Sequence, residues 1–171
     1  MDKKILIGDE VEKNLGKLRK KNQKIVLCHG AFDLMHLGHL KHFESAKKMG
    51  DILVVSLTSD KYIFKGPGRP RFNQLQRMEF ISKLEMVDYV VLSNSVSAES
   101  IIIQVKPSIY CKGPDYKDQK DDITGNISKE RLAIKSVGGK IAYTSDETFS
   151  SSKIINDDIK SQNNAFIKSI K

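Results

Sequence analysis

Apolar residues fall in short β-rich runs that alternate with stretches of helical spacing along most of the chain. A charged helix over 9–21 leads to a buried strand at 24–28 and a turn at 29–33. Helical spacing resumes over 37–49 and stops at Gly50, placed as a C-cap. A second strand is predicted at 51–57, a helix at 75–84 and a third strand at 89–92. Residues 101–105 close a further helix, Pro107 breaks it, and 108–111 read as a fourth strand. After a polar loop at 113–126 come a helix at 128–137 with Ser128 as N-cap, and a strand at 140–143. A last helix begins near Ser150 and frays in a polar tail. Strands alternating with helices predict an α/β fold on a parallel sheet.

One local pattern repeats. Cys28-His29-Gly30 and Cys111-Lys112-Gly113 each end a buried strand with a polar residue and then glycine. In a parallel sheet both turns fall at the carboxyl edge, where open α/β folds bind ligands.

The 171 residues suit one domain with a full hydrophobic core. The apolar runs are far too short to span a membrane, and no secretory signal is expected from the first residues. Two cysteines in such a chain read as small buried hydrophobes rather than a bridge, and the expected compartment is the cytoplasm. The net charge of +8 changes the picture only through its distribution. Residues 1–24 mix eight Lys/Arg with four Asp/Glu, a solvated helix. Residues 61–77 carry Lys61, Lys65, Arg69, Arg71 and Arg77 with no acid, a local anion site.

All four histidines lie between positions 29 and 42. His36 and His39 flank Gly38 where a strand turn passes into a helix, beside unpaired backbone N–H groups and the positive dipole end. The glycine lets a large group approach the backbone, so the segment reads as a phosphate cradle with two ring donors. A zinc site made of His36, His39 and His42 is the rival. Ligands at successive i+3 positions drift about 60° per step around a helix, and no Cys pair or His-Glu-x-x-His pattern completes the set.

The run Gly30-Ala31-Phe32-Asp33-Leu34-Met35-His36-Leu37-Gly38-His39 resembles the signature of the cytidylyltransferase-like nucleotidyltransferases, marked by a His-x-Gly-His tetrad. Lys65-Gly66-Pro67-Gly68-Arg69-Pro70, Lys112-Gly113-Pro114-Asp115-Tyr116 and Gly138-Gly139 followed by Phe149-Ser150-Ser151-Ser152 resemble the nucleotidyltransferase domain of bifunctional ADP-heptose synthases. Glycerol-3-phosphate cytidylyltransferases are similar but more distant; where they carry Arg-Thr-Glu-Gly, this chain has Ser145-Asp146-Glu147-Thr148. The turn carries Cys28-His29-Gly30-Ala31 where the heptose branch usually has Asn-Gly-Cys, which leaves His29 either against the nucleotide or packed. The likeness runs from about 24 to 156, inside a single domain at 1–171 with an N-terminal helix in 1–22 and a tail at 157–171.

The resemblance implies a Rossmann-like open parallel sheet with helices on both faces, and nucleotidyl transfer. A substrate phosphate attacks the α-phosphorus of a nucleoside triphosphate, ATP or CTP, and pyrophosphate leaves, so the protein need only position two anions and neutralise the transition state. By resemblance His36, His39, Lys65 and Arg77 are catalytic. Gly30, Ala31, Phe32, Gly38, Lys112, Gly113, Asp115, Ser150, Ser151 and Ser152 join the histidines in binding nucleotide, and Tyr116 borders the substrate pocket. Mg²⁺ is expected to arrive on the phosphates, since no carboxylate cluster is dedicated to it. The second substrate is a small phosphorylated sugar or alcohol. A homodimer, or one part of a larger bifunctional polypeptide with a kinase, is the expected setting. No nucleic-acid or membrane partner is expected. A nucleic-acid module would interleave stacking aromatics with its cations; Tyr62, Phe64 and Phe72 lie in the basic loop, but the chain has no Trp and is 7% aromatic.

Overall fold

The computed structural model describes residues 2–114 and 127–146. Six strands, β1 (Ile5–Leu6), β2 (Ile25–Gly30), β3 (Ile52–Thr58), β4 (Tyr89–Ser93), β5 (Ile109–Lys112) and β6 (Lys140–Tyr143), form one sheet. Their order is β1-β4-β3-β2-β5-β6, and every pairing is parallel. The helices are α1 (Glu10–Lys20), α2 (Leu37–Lys47), α3 (Gln74–Ser82), α4 (Glu99–Val105) and α5 (Ile127–Ser136), with a short 3-10 turn at Asp60–Tyr62. This is the Rossmann-like α/β architecture expected from the motifs.

Each central strand buries both faces. Val26 and Cys28 of β2 pack with Phe43 and Ala46 of α2 and Met78 and Ile81 of α3. Ile25 and Leu27 face the opposite layer, with Val11 and Leu15 of α1 and Ile101, Ile102 and Val105 of α4. Helices on both faces explain why these strands read as continuous apolar runs rather than alternating ones. Among the described residues no helix is long and apolar enough to cross a membrane.

The topology creates the crevice. From β2 the chain builds outward through β3 and β4, then crosses back to lay β5 on the other side of β2. Connections therefore leave the carboxyl ends of β2 and β5 in opposite directions, which opens a gap above that pair. Cys28 and Cys111 are register partners across it, so the two repeated Cys-x-Gly turns stand side by side.

Four local expectations are corrected. Strand β1 was not anticipated: two residues carry no periodicity, and β1 forms because Ile5 and Leu6 register with Val90 and Val91. His29 and Gly30 belong to the end of β2 rather than to a turn, paired with Ser56 and Leu57. Gly50 is not the cap of α2, which ends at Lys47 and is capped by Lys48 in right-handed conformation. The glycine is needed because a Cβ there would lie 2.7 Å from Val26 Cγ2 and 2.8 Å from the Lys24 carbonyl oxygen. Ser128 lies inside α5, which starts at Ile127, and so does not cap it.

Gly139 lets the chain pass under the β5 entry. A Cβ at this position would sit 2.4 Å from the Pro107 carbonyl oxygen and 2.5 Å from Ile134 Cδ1. Gly139→Ala is expected to destabilise the fold by about 1–3 kcal/mol, the usual range for overpacking. Urea unfolding with an unchanged m-value checks it.

Candidate functional site

Above the β2–β5 gap lies a cavity of about 490 Å³, lined by residues of β2, α2, the loop after β3 and the end of β5. His36 caps α2 in an extended conformation and His39 is the third residue of the helix. Their rings stack with centroids 3.8 Å apart and planes 23° from parallel. The His36 backbone N–H donates to His39 Nδ1 at 3.4 Å. Phe32, at positive φ of 45°, sets its ring edge against His39 at 5.3 Å and against Phe43 at 5.1 Å. The pair expected to share one face of a helix start thus shares one stacked unit.

The helix start is electrostatically open. The first turn of α2 contains no acidic residue, whereas that of α1 carries Glu10 and Glu12. Its positive dipole end and the N–H groups that its own carbonyls cannot reach are left for an anion. Gly30, Ala31, Phe32, His36, Gly38 and His39 all line the cavity, as do Lys65, Lys112 and Gly113. Asp115, Tyr116, Ser150, Ser151 and Ser152 lie outside the described residues.

Arg77 is the main correction. It was expected to reach a phosphate, but it does not line the cavity and its side chain is 1% exposed. Its guanidinium donates to the carbonyls of Phe72, Ala31 and Thr58 and to Asp60 Oδ1. It ties α3 to the ends of β2 and β3, a positioning role. Arg69 is likewise drawn away: its Nε donates to Asp33 Oδ2 at 2.5 Å. Asp33 also accepts from the backbone N–H groups of Arg71 and Phe72, so one carboxylate fastens the basic loop to the cradle. Burial acts to raise the Asp33 pKa, but these bonds outweigh it and hold the carboxyl below its ordinary value.

Lys65 remains at the cavity. Burial of its ammonium, with the charge of Arg69 nearby, lowers its pKa. Lys112 lines the cavity too, yet its Nζ donates to Glu130 Oε2 at 2.6 Å, and Glu130 also accepts from Tyr110 Oη and the Ala98 N–H. Sequence reasoning missed Asp33, Asp60 and Glu130, whose signals are ordinary acidic residues far from their partners in sequence. It also missed Thr144, which meets His42 Nδ1 at 3.0 Å.

His29 both packs and lines the cavity. Its Nδ1 lies 2.5 Å from Ser56 Oγ, and its Nε2 lies 3.4 Å from Thr58 Oγ1. Burial, helped by the charge of Lys112, pushes its pKa down to about 4. Burial, with the charges of His36, His42 and Lys65, pushes His39 down to about 3. Burial also lowers His36. These surroundings favour the neutral form of both cradle imidazoles.

Comparison with known proteins fits this geometry. The sequence model described as cytidylyltransferase-like matches residues 27–157, most of the chain and the whole of the cavity-forming core. The chain belongs to the cytidylyltransferase-like family. The nucleotidyltransferase type implied by the motifs follows from that membership. Among curated relatives of this cytidylyltransferase-like chain, the bifunctional protein HldE of Aliarcobacter butzleri is 38% identical over 77% of the chain, and that of Nitratiruptor is 40% identical over 77%. The chain spans only 28% and 29% of those two proteins. A lipopolysaccharide core biosynthesis protein from Thermoplasma volcanium superposes with a TM-score of 0.61 at 30% identity, over 74% of this chain and 99% of that one. Pantoate-beta-alanine ligase from Francisella tularensis, at 16% identity and a TM-score of 0.58 over 86% of this chain and 68% of that one, shares the fold.

The half-buried imidazoles of this cytidylyltransferase-like domain are expected to weaken the fold in acid. In the unfolded chain His29 and His39 gain a proton near pH 6.5, but in the fold only near 4 and 3. Between those limits the unfolded state binds more protons, so stability falls as pH drops below 6.5. The lowered Asp33 acts only below its ordinary 3.8. The thermal midpoint is expected to fall steadily from about pH 6.5 to pH 4.5, with a shallower slope in His29→Gln. A flat profile over that range in the parent chain would contradict the half-buried neutral rings.

Proposed function

We propose that this domain joins the nucleoside monophosphate of a nucleoside triphosphate to a sugar 1-phosphate, with ADP-heptose-type chemistry, and releases pyrophosphate. The observation that carries the reading is the His36–His39 stack at the positive end of α2, opening on a cavity that Lys65 also lines. A volume of about 490 Å³ falls within the range of small-molecule sites. The HldE relatives and the lipopolysaccharide core protein favour the sugar-phosphate branch. Their bifunctional naming, with this chain under a third of their length, favours a setting beside a second activity such as a kinase.

In the proposed reaction an oxygen of the sugar 1-phosphate attacks the α-phosphorus in line. The bond to the β-phosphate oxygen breaks, and the electron pair leaves with pyrophosphate. His36 and His39 donate to the phosphoryl oxygens on which charge builds, and the N–H groups of the α2 start bind the polyphosphate. Lys65 is the wall cation for the triphosphate or the attacking phosphate. Arg77 and Asp33 act one layer back, holding the loop and the cradle in register.

The donors fit a Mg²⁺ carried mainly by the phosphates. Among the described residues, Asp33 is engaged by Arg69 and Glu130 by Lys112, whereas the cavity residue Asp146 keeps Oδ2 buried without a hydrogen-bond partner. Asp146 can supply one oxygen to such an ion. When bound, Mg²⁺ neutralises triphosphate charge.

The test is to incubate the chain with each NTP and a panel of phosphorylated substrates and to measure pyrophosphate. ATP with a heptose 1-phosphate is expected to give the highest rate. CTP with a polyol or amino-alcohol phosphate as the best pair would instead assign the chain to the cytidylyl branch. His36→Ala and His39→Ala are each expected to lower turnover by about 10²–10³, the loss typical of one transition-state donor. Near-normal rates in both folded variants would remove the histidines from the mechanism.

A further inference from the structure

At the floor of the cavity lies a second constellation that the proposed transfer does not use, although His42 and Cys111 line the cavity together with the cradle residues. Cys28 on β2 and Cys111 on β5 are register partners on neighbouring strands, so both side chains leave the same face of the sheet. The helix α2 packs on that face and brings His42. One ligand atom from each of Cys28, His42 and Cys111 lies within 4.8 Å of the others. Both thiols are free and buried, at 0% and 2% exposure. Met49 adds a thioether, its Sδ 3.8 Å from Cys111 Sγ.

We propose that Cys28, His42 and Cys111 form a binding site for a thiophilic metal ion, Zn²⁺. Tetrahedral zinc with sulfur at about 2.3 Å and nitrogen at about 2.0–2.1 Å needs ligand atoms roughly 3.5–3.8 Å apart. The present spread closes to that by small side-chain rotations. The imidazole is already oriented: its Nδ1 meets Thr144 Oγ1 at 3.0 Å, the kind of outer hydrogen bond that fixes a ligating histidine. Charge balances as well. Zn²⁺ displaces one proton from each thiol to solvent, and the two thiolates cancel its charge, so the buried site stays neutral. Two sulfurs and one nitrogen leave a fourth position for water or the Met49 thioether. The ion clips together β2, β5 and α2, the three elements whose ends build the cavity.

This site differs from the rejected trio of His36, His39 and His42. Only His42 is shared, and the other two ligands come from strands far apart in sequence.

The test uses the full chain, reduced, freed of metal with a chelator and kept anaerobic, with no nucleotide present. Titration with Co²⁺ is expected to give one ion per chain, tetrahedral visible bands and a near-ultraviolet charge-transfer band with the intensity of two thiolates. Zn²⁺ should bleach both and raise the thermal midpoint. Cys28→Ser and Cys111→Ser should each remove about half of the charge-transfer intensity, and Thr144→Val should weaken zinc binding by about 10–100-fold. Zinc-edge X-ray absorption of the parent chain needs no variant: two sulfur scatterers at about 2.3 Å support the site. A shell of oxygen and nitrogen alone, or a cobalt spectrum without thiolate bands, overturns it. The readouts involve no turnover, so the site stands or falls separately from the transfer reaction.

Discussion

The in-register pairing of β2 with β5 is the constraint from which the rest of the molecule follows. Because Cys28 faces Cys111, the chain leaves both strands at the same height, and the segments leading from them diverge. One route passes through Phe32 and Asp33 into α2, and the other through Gly113 along the opposite wall. Were β5 shifted by one residue, Lys112 would exchange faces with its neighbours and lose Glu130. The cavity would then lose its wall on that side. The apolar faces of both strands prevent such slippage, since each is buried against its own helical layer.

Buried ion pairs then set the walls. Three basic residues of the motif-bearing segments, Arg69, Arg77 and Lys112, have side chains at most 10% exposed, each paired with a carboxylate at 2.5–2.6 Å. A buried pair is weak evidence for stability, because desolvation offsets much of the attraction. It does confer geometry: removing Asp33 or Glu130 would strand the charge of Arg69 or Lys112 away from water. Asp33 fixes the start of the cradle to the basic loop, and Arg77 fixes the loop to the strand ends. The acid-free composition of residues 61–77 thus has two meanings. Part of that charge is internal scaffolding, and Lys65 is the cation that faces the cavity.

How much of this was legible in the sequence depends on the range of the interaction. The order of strands and helices was legible because burial on two faces writes itself into consecutive residues, as in Ile25–Cys28 and Ile52–Thr58. The cradle was legible because His36, Gly38 and His39 are contiguous and meet a helix start. What escaped depends on partners far apart in sequence. Strand β1 is two residues held by β4. The burial of Arg77 is decided by Asp60 and three carbonyls, none of which marks itself in sequence. The thiol–imidazole cluster needs the register of β2 on β5 and the docking of α2, so two cysteines that read as filler become neighbours of a histidine.

The stacking of His36 on His39 also bears on their protonation. Two imidazolium rings 3.8 Å apart would repel, and burial already disfavours the charge on each. His39 accepts at Nδ1 from the His36 backbone, so its neutral form carries the proton on Nε2 and remains a donor. An uncharged donor costs little to keep in a partly desolvated cavity. It becomes stronger only when an anion arrives, because a neighbouring negative charge favours the imidazolium. For the transfer proposed here, that makes the response of the cradle largest where phosphoryl charge is greatest, in the transition state.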